Sequence, residues 1–150
     1  MSEALNRSID LHACRQHHSV LRSIIKRFPI AQPFDAHAAA QSLTQLSNVL
    51  LRHLRLEDEH LYPALERGDT TLRLIAARYR NEMGGLRHAF VAFCDRWPSP
   101  ETIAGDMRLF LIDWATLRDP LLARMDAEDH GLYDRAEAHF STQLERAKKL

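Results

Sequence analysis

The sequence predicts an all-α protein in which four antiparallel helices form an up-down-up-down bundle. Three observations predict this fold. Glycine and proline fall mostly in three clusters, which divide the chain into four long segments and lie at residues 28–33, 67–69 and 98–105. Each segment carries apolar residues at alternating steps of three and four, as in a helix that packs one face inward. No segment shows the sustained apolar–polar alternation of a half-buried strand.

The first two predicted helices flank the loop at residues 28–33. Asp35 is the predicted N-cap of the second helix, because a short acidic side chain there accepts hydrogen bonds from unpaired backbone N–H groups. The inward face of the first helix is predicted to contain Leu11, Cys14, His18, Leu21, Ile25 and Phe28. The inward face of the second is predicted to contain Leu43, Leu46, Leu50, His53, Glu57, either His60 or Leu61, and Ala64.

The third and fourth predicted helices are joined by the longest connection. The fourth is expected to begin near Met107 after an N-cap at Asp106, and Pro120 is expected to kink or restart it. The predicted inward face of the third helix contains Leu72, Ile75, Tyr79, Glu82, Leu86, Ala89 and Phe93. That of the fourth contains Met107, Phe110, Trp114, Leu117, Leu121, Arg124, Glu128 and Leu132. A charged, partly packed C-terminal helical extension is expected over about residues 136–150.

Composition and charge narrow the classes of partner. A chain of 150 residues is the size of one domain, which we expect to cover residues 1–150. Lysine plus arginine and aspartate plus glutamate both number 20, so no charge excess favours nucleic acid or an anionic membrane. The absence of a signal-peptide pattern and of a bilayer-length apolar run predicts a cytoplasmic protein. Cys14 and Cys94 lie outside any Cys-x-x-Cys motif, which argues against a disulfide framework or a thiolate zinc site.

Polar residues interrupt all four inward faces. These residues are His18, His53, Glu57, Glu82, Arg124 and Glu128. Residue counts from the loops, at about 1.5 Å of helix rise per residue, place them near one layer of the bundle. A buried charge must be paired or bound to metal, because an isolated one costs several kcal/mol. The sequence therefore predicts a functional polar cluster inside the bundle.

The charge of this cluster can be neutralised in two ways. Three carboxylates face one guanidinium, which leaves two negative charges uncompensated while both histidines are neutral. One or two divalent cations can supply the missing charge, since imidazole and carboxylate are ligands that suit iron, manganese or zinc. Alternatively, protonation of both histidines gives a network of ion pairs without metal. Both alternatives are open at this point.

Three segments resemble the hemerythrin-like (HHE cation-binding) domain family. His-Leu-Arg-Leu-Glu-Asp-Glu-His-Leu-Tyr-Pro at residues 53–63 resembles the family's second-helix motif, whose histidine and glutamate are iron ligands. In the first helix, a histidine precedes a Leu-Arg pair by three residues in the family pattern, which selects His18 over His17. Residues 124–133 of the fourth helix have the spacing of the second-helix motif. The resemblance spans about residues 8–135 and implies a hemerythrin-like bundle.

The resemblance also implies a ligand set. The candidate metal ligands are His18, His53, Glu57, Glu82 and Glu128, and the alternative for Glu82 and Glu128 is an ion pair with Arg124. Arg124 stands where the family has a ligand histidine, and the third helix lacks the family's His-x-x-x-His pair, so a carboxylate-rich site of one or two ions is expected. Arg124 either replaces the charge of a second ion or holds a bridging carboxylate, and Tyr79 is expected to support the site without binding the ion.

The function implied by the resemblance is binding of non-heme iron, with zinc, manganese or no metal as alternatives. The expected role is sensing, storage or protection involving metals, oxygen or nitric oxide, so the expected partners are a metal ion and a small diatomic ligand. One alternative is a metal-free helical interaction or regulatory module whose polar groups are locked in salt bridges. A second is a di-iron enzyme that activates oxygen or peroxide, although we favour a role that is not enzymatic.

One apolar stretch exceeds what a single inward face requires. Residues 109–112 are Leu-Phe-Leu-Ile, and Leu109 is expected to point away from the core while Phe110 points into it. An exposed apolar surface of this kind often marks an interaction site. We therefore expect a homodimer.

Overall fold

The computed structural model describes the backbone of residues 2–149 and the side chains of residues 11–149. All regular structure in this range is helical, which confirms the predicted all-α class. The first and third long helices are α1 (Ser2–Lys26) and α4 (Thr70–Arg96). The second and fourth long helices each contain a π-helical turn. The second consists of α2 (Ala36–Leu56), π1 (Glu57–Leu61) and α3 (Tyr62–Glu66). The fourth consists of α6 (Met107–Ala127), π2 (Glu128–Leu132) and α7 (Tyr133–Lys148). A short helix, α5 (Pro100–Gly105), lies in the longest connection.

The four long helices form the predicted bundle. α1 packs beside α2 on one side and beside α6 and α7 on the other, while α4 packs beside α3 and α6. The connections between successive long helices are short, so each helix runs antiparallel to the one before it. α7 continues the fourth helix beyond the π-helical turn, which confirms the predicted C-terminal helical extension.

Aspartate N-caps fix where three of the helices begin. The side chains of Asp35, Asp69 and Asp106 accept hydrogen bonds from the backbone N–H three residues later, at 3.1, 2.8 and 3.1 Å. Each of these bonds satisfies a backbone donor that has no partner within the helix. The predicted caps at Asp35 and Asp106 are confirmed, and α6 continues through Pro120 without restarting there.

A polar layer divides the core into two apolar clusters. The larger cluster contains Phe28 and Trp114, whose ring centroids are 4.0 Å apart, and lies towards the end of the bundle with the longest connection. The smaller cluster contains Tyr62 and Tyr133 and lies towards the opposite end. Between the clusters lie the fully buried polar side chains of the described residues, which are His18, His53, Glu57 and Glu128. The layer therefore interrupts a core that is otherwise apolar.

The inward face of α4 is shifted by one residue from the prediction in its middle part, where Ala76, Met83 and Phe90 are buried in place of Ile75, Glu82 and Ala89. Met83 is buried, whereas the Glu82 side chain is 47% exposed and forms ion pairs with Arg78 and Arg124. Small residues and arginines separate the apolar positions of this helix. Steps of three and four residues therefore allow either Glu82 or Met83 to lie on the inward face. The apolar side chain of Met83 decides between them, because it loses nothing by burial.

Smaller corrections concern the second and fourth helices. Leu61, not His60, fills the open inward position of the second helix. In the fourth helix Met125 is fully buried beside Arg124, and Met107 is 43% exposed instead of inward. Each π-helical turn adds a residue to one turn of the helix, which the stepwise counting from sequence did not include.

The outer surface carries apolar residues near the N-terminus of α6. Leu109 and Ile112 are 43% and 53% exposed, so the predicted outward direction of Leu109 is confirmed, while dimer formation stays a prediction. Among the residues that the structure describes, no helix combines the length and apolarity needed to cross a bilayer.

Candidate metal centre

The polar layer brings four predicted ligand residues together from three long helices. His18 comes from α1 and His53 from the last turn of α2, while Glu57 and Glu128 are the first residues of π1 and π2. All four side chains are at most 1% exposed. His53 and Glu57 are four residues apart, so they lie on the same face of their helix.

The two histidines face each other through their Nε2 atoms, which are 3.0 Å apart. On the other side of the His18 ring, Nδ1 lies 2.8 Å from Oδ1 of Asp129. A carboxylate only accepts hydrogen bonds, so Nδ1 carries the ring proton and Nε2 presents a lone pair to the centre of the layer. A histidine backed by a carboxylate in this way is the usual arrangement of a metal ligand.

Asp129 is itself held in place by Arg22. An Arg22 guanidinium nitrogen donates to Oδ2 of Asp129 at 2.6 Å, and the same nitrogen donates to Asp126. Burial alone raises the pKa of Asp129, but the hydrogen bonds from Arg22 and His18 outweigh it and leave the pKa lowered. The carboxylate therefore stays ionised and fixes the orientation of His18.

Glu57 is oriented by a tyrosine. The hydroxyl of Tyr133 donates to Oε2 of Glu57 at 3.0 Å. The other oxygen, Oε1, lies 2.9 Å from Nε2 of His53 but has no hydrogen-bond partner among the described residues. Two ligand-type atoms that lie this close without a hydrogen bond are positioned to bind a common third atom.

Glu128 carries the least satisfied carboxylate in the core. Both of its oxygens are buried and have no hydrogen-bond partner within the described part of the chain. One of them, Oε1, is 3.5 Å from Nε2 of His18. One ligand atom each from His18, His53 and Glu128 fit within 4.8 Å of one another. Since an unpaired buried carboxylate is costly, this donor set fits a bound cation.

The acid–base state of the layer argues against a network that depends on a protonated His18. Burial, aided by the neighbouring His53, lowers the pKa of His18 to about 4. Burial and the nearby Glu57 raise the pKa of Glu128 well above its usual range. Burial also tends to raise the pKa of Glu57, but its close contacts with the Glu128 carboxyl group and with His53 lower it to about 2. Without a cation, a neutral Glu128 therefore supplies the proton that the two carboxyl groups share, and His18 stays neutral.

Arg124 lies at the edge of this layer and turns towards Glu82, which lies outside it. Arg124 donates to the backbone carbonyl of Tyr79 at 3.0 Å and to the carboxylate of Glu82. Its guanidinium also stacks over the Tyr79 ring, 4.3 Å from the centroid. The predicted role of Glu82 as a ligand is therefore corrected, because its exposed carboxylate is the ion-pair partner of Arg124 and does not reach the cluster.

Tyr79 contacts Arg124, and its expected role in supporting the site stays a prediction. Its hydroxyl donates to the carbonyl of Ala127 at 3.2 Å, and its ring and carbonyl hold Arg124. It thus positions the arginine and not a ligand of the buried layer.

Sequence reasoning missed Asp129 and Tyr133. Both follow Glu128 closely, as Asp58 and Tyr62 follow Glu57. The repeated Glu-Asp pair was a usable signal, but the side chains that face α1 depend on the π-helical turn. That turn could not be located by counting steps of three and four.

A small enclosed cavity adjoins the layer. Its volume is about 10 Å³, enough for one water-sized molecule. His18, His53 and Glu128 form its polar end, and its remaining lining is apolar, from Leu21, Ile25, Leu46, Leu50, Met83, Leu121 and Met125. A group at the centre of the layer would therefore meet a dry, non-polar space on one side.

Comparison with known proteins adds one finding. The family model described as the hemerythrin HHE cation binding domain matches residues 10–136, well over half of the chain. No curated protein and no solved structure shows a significant match to the sequence.

Proposed function

The chain belongs to the hemerythrin HHE cation-binding family, and from this premise we propose that it binds a transition-metal cation through His18, His53, Glu57 and Glu128. Iron is the first candidate, and zinc and manganese suit the same imidazole and carboxylate ligands. When bound, such an ion supplies a Lewis-acidic centre and, in the case of iron, a redox couple. The protein contributes two lone-pair nitrogens, two carboxylates and the apolar surroundings.

The observation that carries this proposal is the Glu128 carboxyl group, whose two buried oxygens accept no hydrogen bond from the described residues. A fully buried carboxylate without a hydrogen bond costs several kcal/mol unless it shares a proton or binds a cation. The same carboxylate lies beside a histidine whose lone pair is aimed at it and whose far side is fixed by Asp129. A fold that needed only stability would gain more from an apolar side chain at this position.

The surroundings of the layer support a role with a small ligand. The cavity beside His18 and His53 has room for a molecule about the size of water, and its apolar lining suits dioxygen or nitric oxide. We propose that the chain acts in sensing, storage or protection involving metal, oxygen or nitric oxide in the cytoplasm. The enclosed cavity favours binding of a diatomic molecule over turnover of a larger substrate.

Anaerobic titration of the purified chain with ferrous ion tests the proposal. After removal of loosely bound ion by desalting, elemental analysis is expected to find iron in stoichiometric amount. Parallel titrations with zinc and manganese rank the three metals. Only trace retention of all three metals would contradict the proposed function and leave the metal-free interaction module as the better description.

Asp129→Asn is expected to weaken metal binding without removing a ligand. The amide keeps the shape but loses the charge that fixes the His18 ring, and loss of such a group typically costs roughly 10–100-fold in metal affinity. Affinity is measured by competition with a metal-binding dye. Asp58→Asn is the matched control, since Asp58 pairs with Arg87 and touches neither histidine. Equal affinities for the two variants would show that Asp129 has no part in the site.

A further inference from the structure

The bundle consists of two similar halves. Both π-helical turns begin with a glutamate and an aspartate and end with a leucine followed by a tyrosine, at residues 57–62 and 128–133. The first half is formed by α1, α2, π1 and α3, and the second by α4, α6, π2 and α7. Across the two halves, Arg22 of α1 pairs with Asp129. In the equivalent pair, Arg87 of α4 binds Asp58. The second half of the chain thus repeats the first. Equivalent residues of α1 and α4 are 65 positions apart, and equivalent residues of the two π-helical turns are 71 positions apart.

A second set of contacts obeys the same correspondence. Arg15 of α1 pairs with Glu137 and lies 5.5 Å from the centroid of the Tyr133 ring. Arg80 of α4 pairs with Glu66 and lies 5.6 Å from the centroid of the Tyr62 ring. Because both sets give the same two residue offsets, the equivalence of individual positions is fixed.

This equivalence identifies what stands opposite the two histidines. His18 lies four residues before Arg22, and Met83 lies four residues before Arg87. His53 lies four residues before Glu57, and Arg124 lies four residues before Glu128. The second half therefore has a methionine and an arginine where the first has its imidazole ligands.

The two half-sites present opposite hydrogen-bonding groups to the layer. In the half-site that contains His18, His53 and Glu57, Nε2 of His18 offers a lone pair, and the Tyr133 hydroxyl donates to Glu57. In the other half-site the Nε–H of Arg124 and the hydroxyl of Tyr62 are buried donors without a partner among the described residues. A cation binds to lone pairs and not to N–H groups, and arginine stays protonated in proteins.

The position of Arg124 is built by the neighbouring residues. Its side chain is only 10% exposed, and Tyr79 and Glu82 of α4 hold it by the contacts described above. Gly131 leaves room for the Tyr79 ring, since a Cβ there would lie 2.4 Å from the tyrosine hydroxyl oxygen. The arginine is thus a fixed component of this half and not a surface residue that happens to fold inward.

We infer that Arg124 occupies the second half-site of a duplicated metal-binding bundle as an internal cation, so that the chain binds one metal ion where two half-sites exist. The inference rests on the proposed function. Charge supports it, because one divalent ion balances Glu57 and Glu128 while Arg124 is balanced by Glu82. Met83 agrees with it, since a thioether is a poor ligand for the metals that carboxylates prefer.

The number of ions bound tests this inference. Anaerobic titration with cobalt(II), followed by visible absorption and elemental analysis, is expected to saturate at about one ion per wild-type chain. In Met83→His/Arg124→His, lone pairs replace the thioether and the guanidinium, so saturation is expected at about two. Met83→His alone keeps Arg124 and is the matched control, with an expected value of about one.

Each outcome of this titration either supports or overturns the inference that the chain binds one ion. Saturation of the wild-type chain at two ions would overturn the inference, and so would a folded double variant that still binds one. If circular dichroism shows that the double variant does not fold, the wild-type count decides alone. A wild-type chain that binds no ion would instead overturn the proposed function on which the inference rests.

Discussion

Replacing His53 and Glu57 together by alanine is expected to abolish metal binding. These residues lie four apart on one helix and supply two of the four ligand groups in the layer. Loss of a group behind a ligand already costs roughly 10–100-fold in affinity, so loss of two ligands is expected to cost more than about 100-fold. Iron content after desalting measures the effect directly.

The matched control lies in the same segment. Glu59→Ala/His60→Ala removes the same two residue types next to the site, but both side chains are exposed and Glu59 pairs with Arg55. This variant is expected to keep its metal. Retention of iron by the His53/Glu57 variant would place the site elsewhere, and loss of iron from both variants would indicate a general effect on the fold.

Glu128→Met is expected to have opposite effects on binding and on stability. Methionine has similar length and no oxygens that need a partner, and Glu57 keeps the hydrogen bond from Tyr133, so the metal-free chain is expected to gain about 1–3 kcal/mol in free energy of unfolding. Metal binding is lost, because the carboxylate nearest His18 Nε2 is removed. The two effects are measured by urea unfolding in the presence of a chelator and by metal titration.

A substitution on the outer surface of α7 provides the control for stability. The Glu137 side chain is 64% exposed and pairs with Arg15, so Glu137→Met is expected to change stability by less than about 0.5 kcal/mol and to keep the metal. A metal-free Glu128→Met chain that is less stable than wild type would mean that the carboxyl group serves the fold. The account given above would then lose its main support.

The fold and most of the site follow from side-chain spacing. All six residues predicted for the inward face of the first helix are buried, since its apolar side chains favour one register, and Ile24 is buried in addition to them. Four of the predicted ligand residues converge for the same reason: a polar residue on an apolar face is carried into the core by its neighbours. The family resemblance then favoured His18 over His17.

The remaining features of the site depend on how the helices pack and on pairs of residues far apart in sequence, which side-chain spacing cannot predict. Glu82 and Met83 are adjacent on a helix with few large apolar residues, and only the packed bundle shows which of them turns inward. Asp129 reaches His18 because π2 adds a residue to its turn. The correspondence between the two halves likewise became visible only through the equivalent pairs that Arg22 and Arg87 form.

One cation is expected to bind between His18, His53, Glu57 and Glu128. Crystals of the iron-loaded chain, measured on both sides of the iron absorption edge, test it most directly. One anomalous peak per chain is expected within bonding distance of the two Nε2 atoms and the two carboxylates. A peak at any other place, or no peak in crystals that contain iron, would contradict it.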